Sequence, residues 1–287
     1  MKGIILAGGE GTRLYPLTLS VSKQLLPVYD KPLIYYPLCT LMSANIRDIL
    51  CISSPNEINN FKKLLKNGKQ WGINITYAIQ KKPRGIADAF LIGEEFIGKN
   101  SVALILGDNI FYGIDLENIL ISNKKNFKGG KIFIYKVKDP SRYGVVEILN
   151  DKVVSIIEKP KKPKSQYVST GLYFYDNDVI NIAKNIKLSK RNELEITDVN
   201  KKYLSNNLLQ AIKLKTGTVW LDAGTTDSLL HAAQYVQIIQ ERQKIQIGSP
   251  EEISLYKKWI TKKDIKNIIS KSTENDYIDY LKNLIRK

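Results

Sequence analysis

A single histidine, His231, is all that the 287-residue chain offers for imidazole chemistry. It falls inside a helix-like run after Thr225, so neither a Ser-His-Asp relay nor a histidine-rich zinc site is expected. Cysteine is almost as scarce. Cys39 and Cys51 sit in apolar surroundings without metal-ligand spacing, which points to buried free thiols in a reducing cytosol and not to a disulfide. No uncharged apolar run is long enough to cross a bilayer, and the stretch Gly3 to Gly9 is too brief for a signal-peptide core. A cytoplasmic protein without membrane contact is expected. Internal repeats and disordered linkers are also missing.

Acidic residues are outnumbered: 28 Asp plus Glu stand against 44 Lys plus Arg, a formal net charge of +16. Such an excess invites a nucleic-acid reading. The lysines, however, are scattered among Ile and Asn. The densest groups, Lys161, Lys162 and Lys164, and Lys257, Lys258, Lys262 and Lys263, are interrupted by proline, apolar or polar residues, and no aromatic-rich RNA motif accompanies them. No nucleic-acid partner is expected. A basic surface would instead steer small polyanions such as nucleotides.

The first half alternates strand-like runs (Gly3 to Ala7, Ile49 to Ser53, Ile73 to Ile79, Val102 to Leu106, Lys131 to Lys136) with helix-like ones (Ile34 to Ala44, Glu57 to Lys66, Ile86 to Ile97, Leu116 to Lys125). This rhythm predicts an α/β fold with a mostly parallel central sheet flanked by helices, and ligands at the C-terminal edge of its strands. After Lys138 the chain turns strand-rich without regular helical spacers: Gly144 to Ile148, Val153 to Ile157 and Val168 to Tyr175. A strand over Gly217 to Asp222 and a long helix over Thr225 to Arg242 follow. Residues 250–287 carry charged helical patterning, an appendage suited to packing or oligomerisation.

Chemistry concentrates after the first strand. In Gly8-Gly9-Glu10-Gly11-Thr12-Arg13 the glycines let backbone N–H groups approach phosphate oxygens without Cβ interference, and Arg13 adds a cationic fork. A plain strand-to-helix turn would have the same composition. Leu14 stands where a dinucleotide fingerprint starting at Gly9 needs its third glycine, and no Gly-Lys-Ser/Thr triplet follows to make a P-loop. Lys23 supplies a second cation, ahead of Leu26-Pro27 and Lys31-Pro32. Two cations flanking a glycine-rich loop suit a triphosphate, whose pyrophosphate leaving group gains charge as the Pα–O bond breaks.

The run from Gly8 to Pro32 resembles the N-terminal signature of sugar nucleotidyltransferases. With Leu106-Gly107-Asp108-Asn109, Arg142-Tyr143-Gly144, Glu158-Lys159-Pro160, Thr170-Gly171-Leu172, Glu193 to Asp198, Trp220-Leu221-Asp222 and Ser249 to Ile253, the chain resembles the glucose-1-phosphate thymidylyltransferase family, which opens the dTDP-rhamnose pathway. The resemblance implies a Rossmann-like nucleotidyltransferase domain over 1–242, with a nucleotide-binding part to about 138 and a sugar-binding part over 139–242, then a helical segment over 243–287. It implies dTTP and glucose 1-phosphate as substrates, a magnesium ion on Asp108 and Asp222, and catalysis by Arg13, Lys23 and Lys159.

On the same resemblance, Gly8, Gly9, Gly11, Thr12 and Arg13 take the nucleotide, with Gln24, Gln80 and Gly85 in the pyrimidine pocket. Asn109, Tyr143, Gly144, Glu158, Lys159, Ser169 and Trp220 face the sugar. It also implies a homo-oligomer, a tetramer, with feedback inhibition at a second site. The chain departs from the family pattern at Arg84, where an acid is expected, at Asp88, where glutamine is, and at Ser169, where valine is. UTP or another hexose phosphate remains the close alternative pair of substrates. A nucleotide-sugar glycosyltransferase, which would release a nucleoside diphosphate, and a noncatalytic nucleotide sensor are the readings from other classes.

Overall fold

The β-branched run at the N-terminus forms β1 (Lys2–Ala7), in which Ile4 and Ile5 are both fully buried on opposite faces. The computed structural model describes residues 1–9, 11–125 and 127–286; Glu10 of the glycine-rich run, Asn126 and Lys287 lie outside the described residues. Two turns of 3-10 helix, Thr12–Leu14 and Lys23–Leu25, precede a short hairpin of β2 (Pro27–Val28) and β3 (Lys31–Pro32). Strands and helices then alternate: α1 (Tyr35–Ser43), β4 (Asp48–Ser53), α2 (Ile58–Leu65), β5 (Asn74–Ile79), α3 (Asp88–Ile92), α4 (Glu94–Ile97) and β6 (Val102–Leu106). The single helix expected over Ile86 to Ile97 is split at Gly93, whose ψ of 7° leaves the helical range. Glycine is a weak helix former, so the break falls there.

The second half contains β7 (Asn109–Tyr112), α5 (Leu116–Lys124), β8 (Gly130–Lys136), β9 (Gly144–Leu149), β10 (Lys152–Glu158) and β11 (Tyr167–Tyr175). It continues with α6 (Val179–Asn185), α7 (Ile196–Ser205), β12 (Leu209–Lys213), β13 (Val219–Asp222) and α8 (Thr226–Gln243). Helices α6 and α7 depart from the expectation of strand-rich segments without regular helical spacers after Lys138. Buried Ile196, Val199 and Tyr203 give α7 its helical period, beside the exposed Lys201 and Lys202 that mask it in the sequence.

Among the described residues nine strands make the central sheet, in the order β10-β9-β11-β6-β1-β4-β5, with β8 attached along β11 and β12 along β8. Strands β6, β1, β4 and β5 are mutually parallel, as are β8 and β12. Strand β11 is inserted antiparallel: it meets β9 through Val168, β6 from Leu172 onward, and β8 along its other edge. The parallel half thus abuts a β9–β10 hairpin, and a cleft opens where the two meet. Alternate residues feed two cores: Ile5, Ile105 and Phe174 face one side, and Ile4, Leu104 and Tyr173 the other. Cys51 and Cys39 are buried free thiols, and burial pushes the Cys51 thiol up to about 12.

Strand β13 joins β7 in a separate two-stranded antiparallel sheet, which pairs Asp222 with Asn109. The chain after α8 forms α9 (Pro250–Tyr256), α10 (Lys262–Ile269) and α11 (Asp276–Arg286). Glu251 on α9 is buried and accepts hydrogen bonds from Trp71 Nε1 at 2.8 Å and from the Tyr277 hydroxyl at 2.5 Å. One carboxylate therefore ties the 3-10 turn after α2, α9 and α11 together. Replacing it strands the buried Trp71 Nε1 and leaves the Tyr277 hydroxyl only Ser249 Oγ, at 2.9 Å. Glu251→Leu is expected to cost about 1–3 kcal/mol, read by urea denaturation followed through tryptophan fluorescence; an unchanged midpoint would refute this coupling.

Candidate active site

Ala7, Leu106 and Ser53 end neighbouring parallel strands at one edge of the sheet, and the glycine-rich loop leaves from that edge. Gly11 turns the chain with a φ of 65°, and a Cβ there would lie 2.8 Å from the Thr18 methyl. Thr18 closes the loop by donating its hydroxyl to the Gly11 carbonyl at 3.0 Å. Thr12 and Arg13 follow on the exposed 3-10 turn, and Arg13 leans over Gly224 toward Asp222 to line the cleft. The cleft has a volume of about 220 Å³.

Asp108 follows β6 at the floor of this cleft. Its Oδ2 accepts a hydrogen bond from the buried Lys23 ammonium, and its Oδ1 accepts one from Asn109 Nδ2 at 2.8 Å. Burial works to raise its pKa, but the Lys23 charge and hydrogen bond, aided by Asn109, hold the carboxyl below its ordinary value. Asp222 behaves oppositely. Burial raises its pKa and the Asp108 charge adds to this, while the Tyr143 hydroxyl, Arg142 and Arg13 oppose it. Arg142 stands 3.9 Å from Asp222. Burial, with the Asp222 charge, pushes the Tyr143 hydroxyl up to about 12.

Asn109 fixes this floor. Besides Asp108 it serves the Gly171 N–H at 3.2 Å and Trp220 Nε1 at 2.5 Å, both through its carbonyl oxygen. Trp220 in turn meets Tyr143 edge-on, with ring centroids 5.2 Å apart. At the far end, the β9–β10 register places Gly144 opposite Glu158. Glu158 accepts from the Thr197 hydroxyl at 2.5 Å and has Lys159 and Arg191 each 3.6 Å away. Lys159 adopts a left-handed backbone (φ 42°) and donates its N–H to the Tyr143 carbonyl at 3.0 Å. Such strain in a non-glycine residue persists where surrounding structure enforces it. Ser169, on β11, lines the same wall.

The structure brings Arg13, Asp108, Asn109, Tyr143, Gly144, Glu158, Lys159, Ser169, Trp220 and Asp222 around one cleft, with Lys23 ion-paired to Asp108. The remaining sequence candidates lie beside it. Gln80, following β5, sets its Oε1 2.6 Å from where a Cβ on Gly8 would sit, and Gln24 packs against Gly107. Gly9 is exposed next to Gly8, and Gly85 turns with a φ of 99° against Leu194. Among the described residues, no group of three or more His, Cys, Asp or Glu side chains forms a metal cage. Two carboxylates fit a magnesium-type ion, which takes oxygen donors and leaves most of its shell to phosphate and water. A thiophilic metal has no donors here.

Acidic floor, cationic rim and glycine loop at the edge of a largely parallel sheet describe a site for phosphoryl chemistry. The nucleotidyl transferase family profile matches residues 2–238. The chain belongs to the nucleotidyl transferase family. It is 51% identical to a glucose-1-phosphate thymidylyltransferase of Neisseria meningitidis across the whole of both chains. It is 56% identical to one of Mycolicibacterium smegmatis over 88% of each. A solved Bacillus anthracis structure described as a glucose-1-phosphate thymidylyltransferase, in complex with sucrose, superposes with a TM-score of 0.77 at 40% identity, over 88% of this chain and 98% of that one. A UDP-glucose pyrophosphorylase bound to UDP-glucose gives 0.73 at 25% identity, over 85% and 99%.

Three residues of this nucleotidyl transferase cleft escaped the sequence reading: Arg142 beside Asp222, Thr197 on Glu158, and Arg191, which also holds Glu195 at 2.8 Å. Arg142 and Thr197 lie inside motifs already singled out, adjacent to Tyr143 and within the Glu193 to Asp198 run. That adjacency was the available signal. For the floor, Lys23→Met is expected to raise the Asp108 pKa above 3.8, its ordinary value, because burial then meets only the Asn109 hydrogen bond and a backbone hydrogen bond. In the wild type the folded pKa lies below that value, so the stability it contributes is present above pH 3.8 and is lost as pH falls through the folded pKa. Carboxyl-carbon NMR titration of metal-free protein reads the shift, and identical Asp108 curves in both proteins would discard the ion pair.

Proposed function

We propose that this nucleotidyl transferase moves a thymidylyl group from dTTP to α-D-glucose 1-phosphate, giving dTDP-glucose and pyrophosphate. The observation that carries the reading is the convergence of Arg13, Lys23, Asp108 and Asp222 on one cleft whose other end holds Glu158, Lys159 and Arg191. Polyphosphate and sugar phosphate each find cations there, at opposite ends. The names of relatives matched along all or most of the chain supply the substrate pair.

A hexose 1-phosphate is already an anion near neutral pH, so its attack on the α-phosphorus needs placement and charge neutralisation more than a base. A phosphate oxygen of the sugar phosphate forms the new bond to the α-phosphorus, and the bond to the β-phosphate oxygen breaks, its electron pair leaving with pyrophosphate. Arg13 and Lys23 face the charge that gathers on this leaving group. Lys159, with Arg191, holds the sugar phosphate. Glu158, fixed by Thr197, accepts from sugar hydroxyls, and Tyr143, Trp220, Asn109 and Ser169 wall the ring. We assign a resident magnesium ion to Asp108 and Asp222; when bound it neutralises phosphate charge.

In this reading the glycine loop (Gly8, Gly9, Gly11 and Thr12) cradles the phosphates, and Gln24, Gln80 and Gly85 take the base. Residues 1–138 form the nucleotide part, 139–242 the sugar part and 243–287 a helical appendage. UTP is the nearest competing donor, since one methyl group separates the bases and is worth about 1–3 kcal/mol. We further assign a homo-oligomeric, tetrameric state, to which the exposed Ile114, Leu230 and Ile238 contribute apolar surface. A single-protomer mass by light scattering would reverse that assignment.

Asp108→Asn and Asp222→Asn are each expected to lower turnover by at least about a hundredfold with the thermal melt retained. Lys159→Ala should raise KM for glucose 1-phosphate well beyond its effect on KM for dTTP. Pyrophosphate release, measured with dTTP, UTP, CTP, GTP and ATP against glucose 1-phosphate and its epimers, tests substrate and mechanism together. Near-normal release by either aspartate variant, or a preference for a purine donor, would reject the proposal.

A further inference from the structure

Gln80 and Gln24 are both buried, and each has one end of its amide committed to a neighbour. Gln80 Nε2 donates to Asp88 Oδ2 at 3.0 Å and, at 3.4 Å, toward the Gly85 carbonyl. Both amide hydrogens are thereby directed at the protein. The carbonyl end, Oε1, turns the other way, onto Gly8 at the start of the glycine loop. Gln24 is set in the opposite sense. Its Oε1 accepts the Ser22 hydroxyl at 2.5 Å, which leaves Nε2, without a partner among the described residues, as the outward group.

Asp88 is itself buried, at the first turn of α3. A carboxylate in its ionised form only accepts hydrogen bonds. Flipping the Gln80 amide would bring its oxygen against the Asp88 oxygen and leave both unsatisfied, at a cost typical of buried unpaired groups. An asparagine at this position would tolerate either orientation, and so would a glutamine. The orientation of Gln80 is therefore decided by the identity of residue 88.

We propose that Asp88 is a positioning residue for base selection: by holding Gln80 Nε2 it makes Gln80 an acceptor alone toward the nucleotide. With Gln24 presenting a donor, the pair matches a ring N–H beside a carbonyl, the edge of thymine or uracil. Cytosine offers a bare ring nitrogen and an amino group at the same places, so both contacts become repulsive. This inference rests on the reading above that Gln24 and Gln80 line the base pocket.

The test compares kcat/KM for dTTP and dCTP, with glucose 1-phosphate as the second substrate, in wild type, Asp88→Asn and Asp88→Glu. In Asp88→Asn the dTTP:dCTP ratio falls at least about tenfold, because the new amide can donate to Gln80 Oε1 and release Nε2 toward the base. Asp88→Glu, still an acceptor, keeps the ratio within about threefold of wild type. A merely structural role would lower both efficiencies by the same factor, and that result overturns the proposal. Gln80→Ala separates the layers. If it leaves both KM for dTTP and the ratio unchanged, the base-pocket reading fails and this inference with it. If it abolishes discrimination while Asp88→Asn preserves it, the pocket stands and only the role of Asp88 falls.

Discussion

Two carboxylates, Asp108 and Asp222, share a largely buried floor, and the arrangement of the cleft follows from how their repulsion is contained. Lys23 neutralises one at hydrogen-bond range, while the other leans on the Tyr143 hydroxyl and the more distant Arg142 and Arg13. The opposite directions of their pKa shifts record that asymmetry. A buried pair of like charges is costly unless cations and hydrogen bonds surround it. In the proposed reaction the same groups would face a polyphosphate, which would leave little reorganisation for the reaction itself.

This containment depends on strand pairing that no local sequence feature announces. Asp108 leaves β6 of the main sheet, whereas Asp222 ends β13, which pairs with β7 in a sheet of its own. Asn109 closes the gap. It is the first residue of β7, the partner of Asp222 in register, and the hydrogen-bond hub for Asp108, Gly171 and Trp220. The far end of the cleft depends on a second pairing, that of β9 with β10, which sets Gly144 across from Glu158. The antiparallel β11 between the two halves of the sheet supplies Ser169 and Gly171 to the same space.

The parallel half of the fold was legible because its strands are apolar runs of β-branched residues separated by helical spacers, as at Ile49 to Ser53 and Val102 to Leu106. The turn at Gly11 was legible because glycine takes a left-handed backbone without Cβ strain. Helices α6 and α7 were not: α6 is a seven-residue run too short for its Val, Ile and Ala to show a helical period, and α7 sets its apolar positions among Asp198, Lys201 and Lys202. Arg191 was illegible for another reason: its partners Glu158 and Glu195 arrive from different elements.

Chemistry types and their order along the chain were determined by the sequence itself: glycines after the first strand, cations at 13 and 23, carboxylates after two strands, and too little histidine for a Ser-His-Asp relay or a histidine-rich zinc site. Those follow from composition and local conformational preference. Only the tertiary structure decided which carboxylate is held ionised by Lys23, which arginines reach the floor, and which way the Gln24 and Gln80 amides face. Such properties belong to distances between residues far apart in the chain, and an electrostatic or hydrogen-bonding outcome exists only once those distances are set.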